Sequence, residues 1–306
     1  MRLRIGRLVD LTGVAALAVV ALLAAGCSGN PAAQASGVPS VVVTFPVLGA
    51  VVTDLVGDRA TVTVLMPNGV DPHDWSPSAK DIERVGKADL VIANGLGLEA
   101  GLDKALVEAE KRGVAVFRAG DHVAVRQQAN VAAGSGPVVA PDPHFWVDPL
   151  AMRDVVLALA PALAAVGVDV TDRAPALATR LTELDAATRA TLSVIPEARR
   201  LLVTGHESMG YFADRYGFRL VGAVVPGLTS QGEVAAGQLA DLKQAIEAAG
   251  VKVIFTEIGT PSSVVEAIGK ETGAAVIQLP SHTLPADGTY ASFIGQIATA
   301  IATALR

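Results

Sequence analysis

The chain has 306 residues, enough to bury two compact units at a common domain size of roughly 150 residues. Its 24 basic and 30 acidic side chains include no basic stripe interleaved with aromatics, which argues against nucleic acid as a partner. Apolar residues make up 51% but aromatics only 4%, which favours a helix-rich α/β fold over a β-sandwich, and a single cysteine, Cys27, excludes a disulfide framework.

In chain order, Arg2, Arg4 and Arg7 precede an apolar run over 11–26 that ends Leu23-Ala24-Ala25-Gly26-Cys27. This is a targeting segment and is excluded from the fold. It resembles a bacterial lipoprotein signal, although Ala24 stands three before the cysteine where Leu is preferred. The resemblance implies that Cys27 is lipidated and becomes the first mature residue. An ordinary secretory signal cut near Ala25, or an uncleaved anchor, is the alternative. Residues 28–39 read as a flexible tether. The expected location is the outer face of a bacterial cytoplasmic membrane.

From residue 40 strands and helices alternate. Short β-branched runs at 41–45 and 60–65 flank a helix at 46–57. Ser76-Pro77 reads as an N-cap with proline at the first helical position, opening a helix through residue 87. A strand at 89–93, a helix at 97–112 and a strand at 114–117 follow, and 124–141 reads as loop. Helices are expected at 149–166 and 171–194, the second carrying an apolar stripe of Leu177, Leu181, Leu184 and Thr188. Strands at 200–204, 218–225, 251–256 and 274–279 then alternate with helices at 208–216, 234–249, 261–272 and 290–305. This predicts an N-terminal α/β lobe over 40–168, a connecting helix over 169–197 and a C-terminal α/β lobe over 198–306. Each lobe is expected to hold a mostly parallel sheet flanked by helices.

Four of the five histidines, His73, His144, His206 and His282, fall on predicted loops, three of them just past strand ends. Ligands of parallel sheets bind at such ends. Two of the four come from each lobe, so their natural meeting point is the cleft. Asp71-Pro72-His73-Asp74-Trp75 and Asp142-Pro143-His144-Phe145-Trp146 share a spelling and contain both tryptophans. Proline stiffens each loop, and Trp75 and Trp146 supply bodies able to wall a pocket. Neutral imidazole is the commonest protein ligand for zinc and related metals, so the four are candidate metal ligands. His122 lacks this context and reads as solvated. Gly95-Leu96-Gly97-Leu98-Glu99-Ala100 fits a dinucleotide fingerprint, but it is not in the first βα unit and reads as close helix–strand packing. Gly205-His206-Glu207-Ser208-Met209-Gly210 has the wrong spacing for a nucleophile elbow or a zincin helix.

Four segments carry a family resemblance: Met66-Pro67-Asn68-Gly69-Val70-Asp71-Pro72-His73, Asn94-Gly95-Leu96-Gly97-Leu98-Glu99, Asp142 through Pro149, and His206 through Gly217. In this order they resemble solute-binding lipoproteins of zinc and manganese ABC importers (cluster A-I, zinc-binding type). The resemblance runs from about residue 40 to the C-terminus. It implies two α/β lobes bridged by a long rigid helix, a metal between them, and His73, His144 and His206 as ligands. The family commonly places a carboxylate near the last strand, where Ser281-His282-Thr283-Leu284 instead offers His282. Glu257, at the end of strand 251–256, is the alternative fourth ligand.

Four imidazoles favour Zn2+, with Mn2+ or Fe2+ second, because manganese prefers more carboxylate oxygen. Four protein ligands leave no position for an activated water, so a non-catalytic receptor is expected. It is expected to be a monomer that delivers the ion to an ABC permease with a cytoplasmic ATPase. Capture is expected to weaken as pH drops toward ~6, where protons compete for imidazoles of ordinary pKa. The rival from another class is an exported metallohydrolase with a three-histidine metal and Glu207 or Glu257 as base. A weaker third is an adhesin or structural lipoprotein.

Overall fold

A computed structural model describes residues 37–130, 138–230, 232 and 234–306. Cys27 and most of the expected tether lie outside the described residues. Among those residues no helix is long and apolar enough to cross a membrane.

The first lobe is built from β1 (Ser40–Val43), α1 (Pro46–Val56), β2 (Thr61–Val64), α2 (Ala79–Lys87), β3 (Leu90–Ala93), α3 (Asp103–Lys111) and β4 (Ala115–Arg118). Its strands are all parallel, in the order β2-β1-β3-β4. Val41, Val42 and Val43 are all buried, as are all four residues of β3, because helices cover both faces of the sheet. Strand β5 (Gln127–Asn130) pairs antiparallel with β6 (Val138–Pro141). Helices α4 (Pro149–Ala165) and α5 (Arg173–Leu192) follow.

The second lobe holds β7 (Leu201–Thr204), α6 (Gly210–Tyr216), β8 (Arg219–Ala223), α7 (Ala236–Ala249), β9 (Val253–Thr256), α8 (Ser262–Thr272), β10 (Ala275–Gln278) and α9 (Tyr290–Leu305). Its parallel sheet runs β10-β9-β7-β8, with a bulge between Leu202 and Val203. The α/β architecture with two helix-flanked parallel sheets is thus as expected.

Local differences have local causes. Helix α2 begins after Ser78 rather than Ser76, because Asp81 three residues on completes a reciprocal capping box with Ser78. The segment expected to be helical from 97 enters α only at Asp103, after a 3-10 turn over Ala100–Leu102. Gly95 and Gly97 there take φ of 79° and 83°, and Glu99 turns its carboxylate back onto the backbone N–H groups of Asn94 and Gly95 at 2.7 and 3.1 Å. The expected loop 124–141 contains the β5–β6 hairpin. Helix α5 has 20 residues rather than 24, about 30 Å of length.

One continuous apolar core runs through both lobes. It takes Phe45 and Leu48 from the first, Leu202 and Phe255 from the second, and Val155, Leu177, Leu181, Phe293 and Ile297 from α4, α5 and α9. The stripe on α5 is buried as expected at Leu177, Leu181 and Thr188. Smaller clusters lie under the outer helices, around Val91 and Leu106 in one lobe and Ile246 and Ile254 in the other. A core shared across the cleft favours small motions over wide hinge closure.

Candidate metal centre

The four histidines come together. One ring nitrogen from each of His73, His144, His206 and His282 lies within 4.8 Å of all the others. His73 follows β2, His206 stands two residues beyond the end of β7, His282 four beyond β10, and His144 precedes the 3-10 turn Phe145–Val147. His122 stays apart, exposed and stacked on Phe117 at a centroid distance of 4.5 Å.

The repeated Asp-Pro-His spelling has a structural cause. Asp71 Oδ1 accepts from the backbone N–H of His73, and Asp142 Oδ1 from that of His144, each at 3.0 Å. Each aspartate closes a side-chain turn over the intervening proline and fixes the direction of its histidine. Asp142 Oδ1 also sits 2.8 Å from His144 Nδ1. That contact makes Nδ1 the protonated nitrogen and leaves the Nε2 lone pair facing the cluster. Gly259 keeps the second lobe close: at φ 87° it lies so near Asp71 that a Cβ would collide with the carboxylate, which also accepts from Ser230 Oγ.

His144 Nε2 lies 3.2 Å from His73 Nε2 and 3.1 Å from His206 Nε2. In tetrahedral zinc with bonds of ~2.05 Å the ligand nitrogens stand about 3.3–3.4 Å apart. These two edges are close to that spacing, and the other separations in the cluster lie within 4.8 Å. His282 Nδ1 is 2.8 Å from Ser281 Oγ, while its Nε2 is buried with no hydrogen-bond partner. A buried polar atom without a partner is costly, and a cation held by the other imidazoles satisfies it. The donor set therefore fits a tetrahedral ion that prefers nitrogen.

Glu257 follows β9 directly and lies behind the cluster, on the Nδ1 side of two rings. Its carboxylate accepts from Ser208 Oγ at 2.7 Å and Ser281 Oγ at 2.8 Å. Oε2 is 3.2 Å from His206 Nδ1, close but misaligned for a hydrogen bond, and 3.7 Å from His282 Nδ1. Burial pushes this carboxyl up to about 7, against the two hydroxyl hydrogen bonds. Burial pushes His73 down to about 3, with repulsion from His144 adding to it, and holds His206 and His282 well below the ordinary histidine range. Protons therefore compete at these three rings at lower pH than at ordinary imidazoles.

Trp146 is fully buried, with ring centroids 5.1 Å from His144 and 5.6 Å from His282, and it donates from Nε1 to Ser281 O at 2.8 Å. Trp75 and the half-buried His73 line a cavity of about 300 Å³. Both tryptophans thus wall the site. Sequence reasoning passed over Asp71, Asp142, Ser208 and Ser281 as orienting groups. For the aspartates the signal was present, since Asp two residues before a fixed N–H is the signature of a side-chain turn.

Two parallel α/β lobes with a buried cluster of four histidine nitrogens at the strand ends have the donor set of a metal-binding protein. The family described as ZnuA, zinc-uptake complex component A, periplasmic, matches residues 41–304, and the chain belongs to it. The zinc-binding protein TroA of Treponema pallidum is 31% identical over 245 residues, covering 78% of this chain and 77% of TroA. The manganese-binding lipoprotein MntA of Halalkalibacterium halodurans is 28% identical over 269 residues, 84% of each chain. The solved structure of the periplasmic zinc-binding protein TroA superposes with a TM-score of 0.75 at 27% identity, covering 88% of this chain and 99% of that one. Members of the family are metal-binding components of ABC importers, working with a permease and an ATPase. The chain is not an enzyme, and the metallohydrolase alternative falls with that.

Proposed function

We propose that His73, His144, His206 and His282 bind one zinc ion through Nε2, and that the chain captures this ion outside the membrane for delivery to its permease. The observation that carries the reading is the pair of nitrogen–nitrogen edges at 3.1 and 3.2 Å, within a set of four ring nitrogens and no carboxylate. Such a set favours zinc over manganese or iron, which take more oxygen. Glu257 acts on the far side of His206 and His282 as an orienting partner rather than a ligand.

The lobes are taken as 40–168 and 198–306, joined through 169–197, with Cys27 as the lipidated anchor and the receptor acting as a monomer. Supporting this reading are both four-stranded sheets falling inside those ranges and α5 lying between them.

The test is elemental analysis of protein purified without added metal, followed by competition between zinc and manganese in wild type and His282→Ala. Zinc retained over manganese, with affinity sharply reduced in His282→Ala, is the expected result. Manganese retained over zinc, or unchanged affinity in the variant, contradicts the assignment.

A further inference from the structure

The side-chain amide of Asn68 is paired with the main chain of Leu284 across the cleft. Asn68 Nδ2 donates to Leu284 O at 2.9 Å, and Leu284 N donates to Asn68 Oδ1 at 2.8 Å. The amide reproduces the two-bond pairing of a strand neighbour between residues 216 apart in sequence. Asn68 occupies the second position of a tight turn closed by Val70 N to Pro67 O at 3.3 Å, with Gly69 at φ 84° in the third. The turn makes Asn68 a fixed arm. It stands five residues before His73, and Leu284 stands two after His282.

Val70 and Leu284 of these two loops also pack against the shared core. Asn68 and Leu284 line a cavity of about 900 Å³ together with Pro67, Leu181, Leu184 and Tyr290. The cavity leaves the polar Asn68–Leu284 pair exposed on that side, so the pair adds a directional tie to this apolar packing. On its other side His282 is tied by Trp146 Nε1 to the carbonyl of Ser281. The anchors of this loop through Ser281, to Trp146 and Glu257, are buried, whereas the Asn68 pair is exposed.

We propose that Asn68 is a positioning residue: its paired amide holds the loop of His282 against the loop of His73, keeping the fourth imidazole on the ion and slowing release. This rests on the zinc-site reading above. Because exposed hydrogen bonds of this kind are each modest, loss of both is expected to speed release about tenfold.

The experiment uses the full chain as wild type, Asn68→Ala, Asn68→Asp and His282→Ala. Zinc release into excess chelator gives the rate, and the visible spectrum of the Co2+-loaded protein reports coordination geometry. Asn68→Ala should release zinc about tenfold faster with unchanged association. Its Co2+ spectrum should shift in the same direction as that of His282→Ala, a change that loss of fold stability alone does not produce. Asn68→Asp, nearly isosteric, should be intermediate, since its carboxylate accepts from Leu284 N–H but cannot donate to Leu284 O, and it keeps the test valid if the alanine variant folds poorly. Wild-type release and spectrum in Asn68→Ala or Asn68→Asp overturn the proposal while leaving the zinc site standing. A wild-type Co2+ spectrum that is not tetrahedral overturns both.

Discussion

Asp142 and His144 are joined twice within two residues: one carboxylate oxygen takes the histidine's backbone N–H at 3.0 Å and lies 2.8 Å from its Nδ1. The same oxygen thus sets the loop conformation and the tautomer of the ring whose Nε2 lies within 3.2 Å of the Nε2 atoms of His73 and His206. Asp142→Ala is expected to weaken zinc binding about 10–100-fold, as loss of an orienting carboxylate behind a metal-bound histidine does elsewhere. Asp142→Asn keeps the acceptor to the backbone and should lose less. Chelator competition on both variants checks this, and equal, negligible losses would contradict the role.

Proton release on zinc binding follows from the buried rings. His73, at about 3, carries no proton at pH 6, and burial holds His206 and His282 well below the ordinary histidine range. Glu257, at about 7, is mostly protonated there, and a cation at His206 favours its ionisation. Titration calorimetry at pH 6 in buffers of different ionisation enthalpy should therefore show fewer protons released per zinc than ordinary imidazoles give. Four histidines of ordinary pKa would release about three.

The metal-free protein should lose stability as pH falls below about 6.5, with Glu257 opposing part of that loss. The three histidines have folded pKa values below their unfolded ones, so the unfolded state binds more protons below pH 6.5 and stability falls as pH falls through that range. Glu257 has a raised folded pKa, so its contribution is complete below about 4.5 and is lost as pH rises through about 7. A shift from 4.5 to about 7 corresponds to about 3 kcal/mol at high pH. Glu257→Gln removes that opposing contribution, so in denaturant unfolding its stability should rise more steeply than wild type between about pH 4.5 and 7. An equal rise in the variant and the wild type would contradict the raised pKa of Glu257.

Leu181 lies on α5 inside the core shared by both lobes, 3% exposed. Leu181→Ala is expected to destabilise the protein by about 2–5 kcal/mol through a cavity between the lobes. Thermal unfolding reads the loss. A single transition is expected, because one core serves both lobes; two separated transitions would mean that the lobes unfold independently.

Much of this was legible before the fold was known. Val41 to Val43 and Leu90 to Ala93 are apolar on consecutive residues because helices cover both faces of a parallel sheet, and that pattern is local. The histidines were legible because loops at strand ends are where such sheets place ligands. The β5–β6 hairpin was not. Gln127, Gln128 and Asn130 carry no strand preference, and the segment is fixed by tertiary contacts, such as Arg126 N donating to Tyr211 OH at 2.9 Å. Glu257 was placed at the right strand end, but its distance from the cluster depends on Ser208 and Ser281, which come from two other loops. The start of α2 was missed for a smaller reason: Ser76 and Ser78 both suit an N-cap, and Asp81 decides between them.

X-ray absorption at the zinc edge, on protein loaded with one equivalent, tests the central claim most directly. Four imidazole nitrogens at about 2.0 Å, with no oxygen in the shell, is the predicted result. Three imidazoles with a carboxylate or water oxygen as the fourth donor would contradict it and would move Glu257 or solvent into the place assigned to His282.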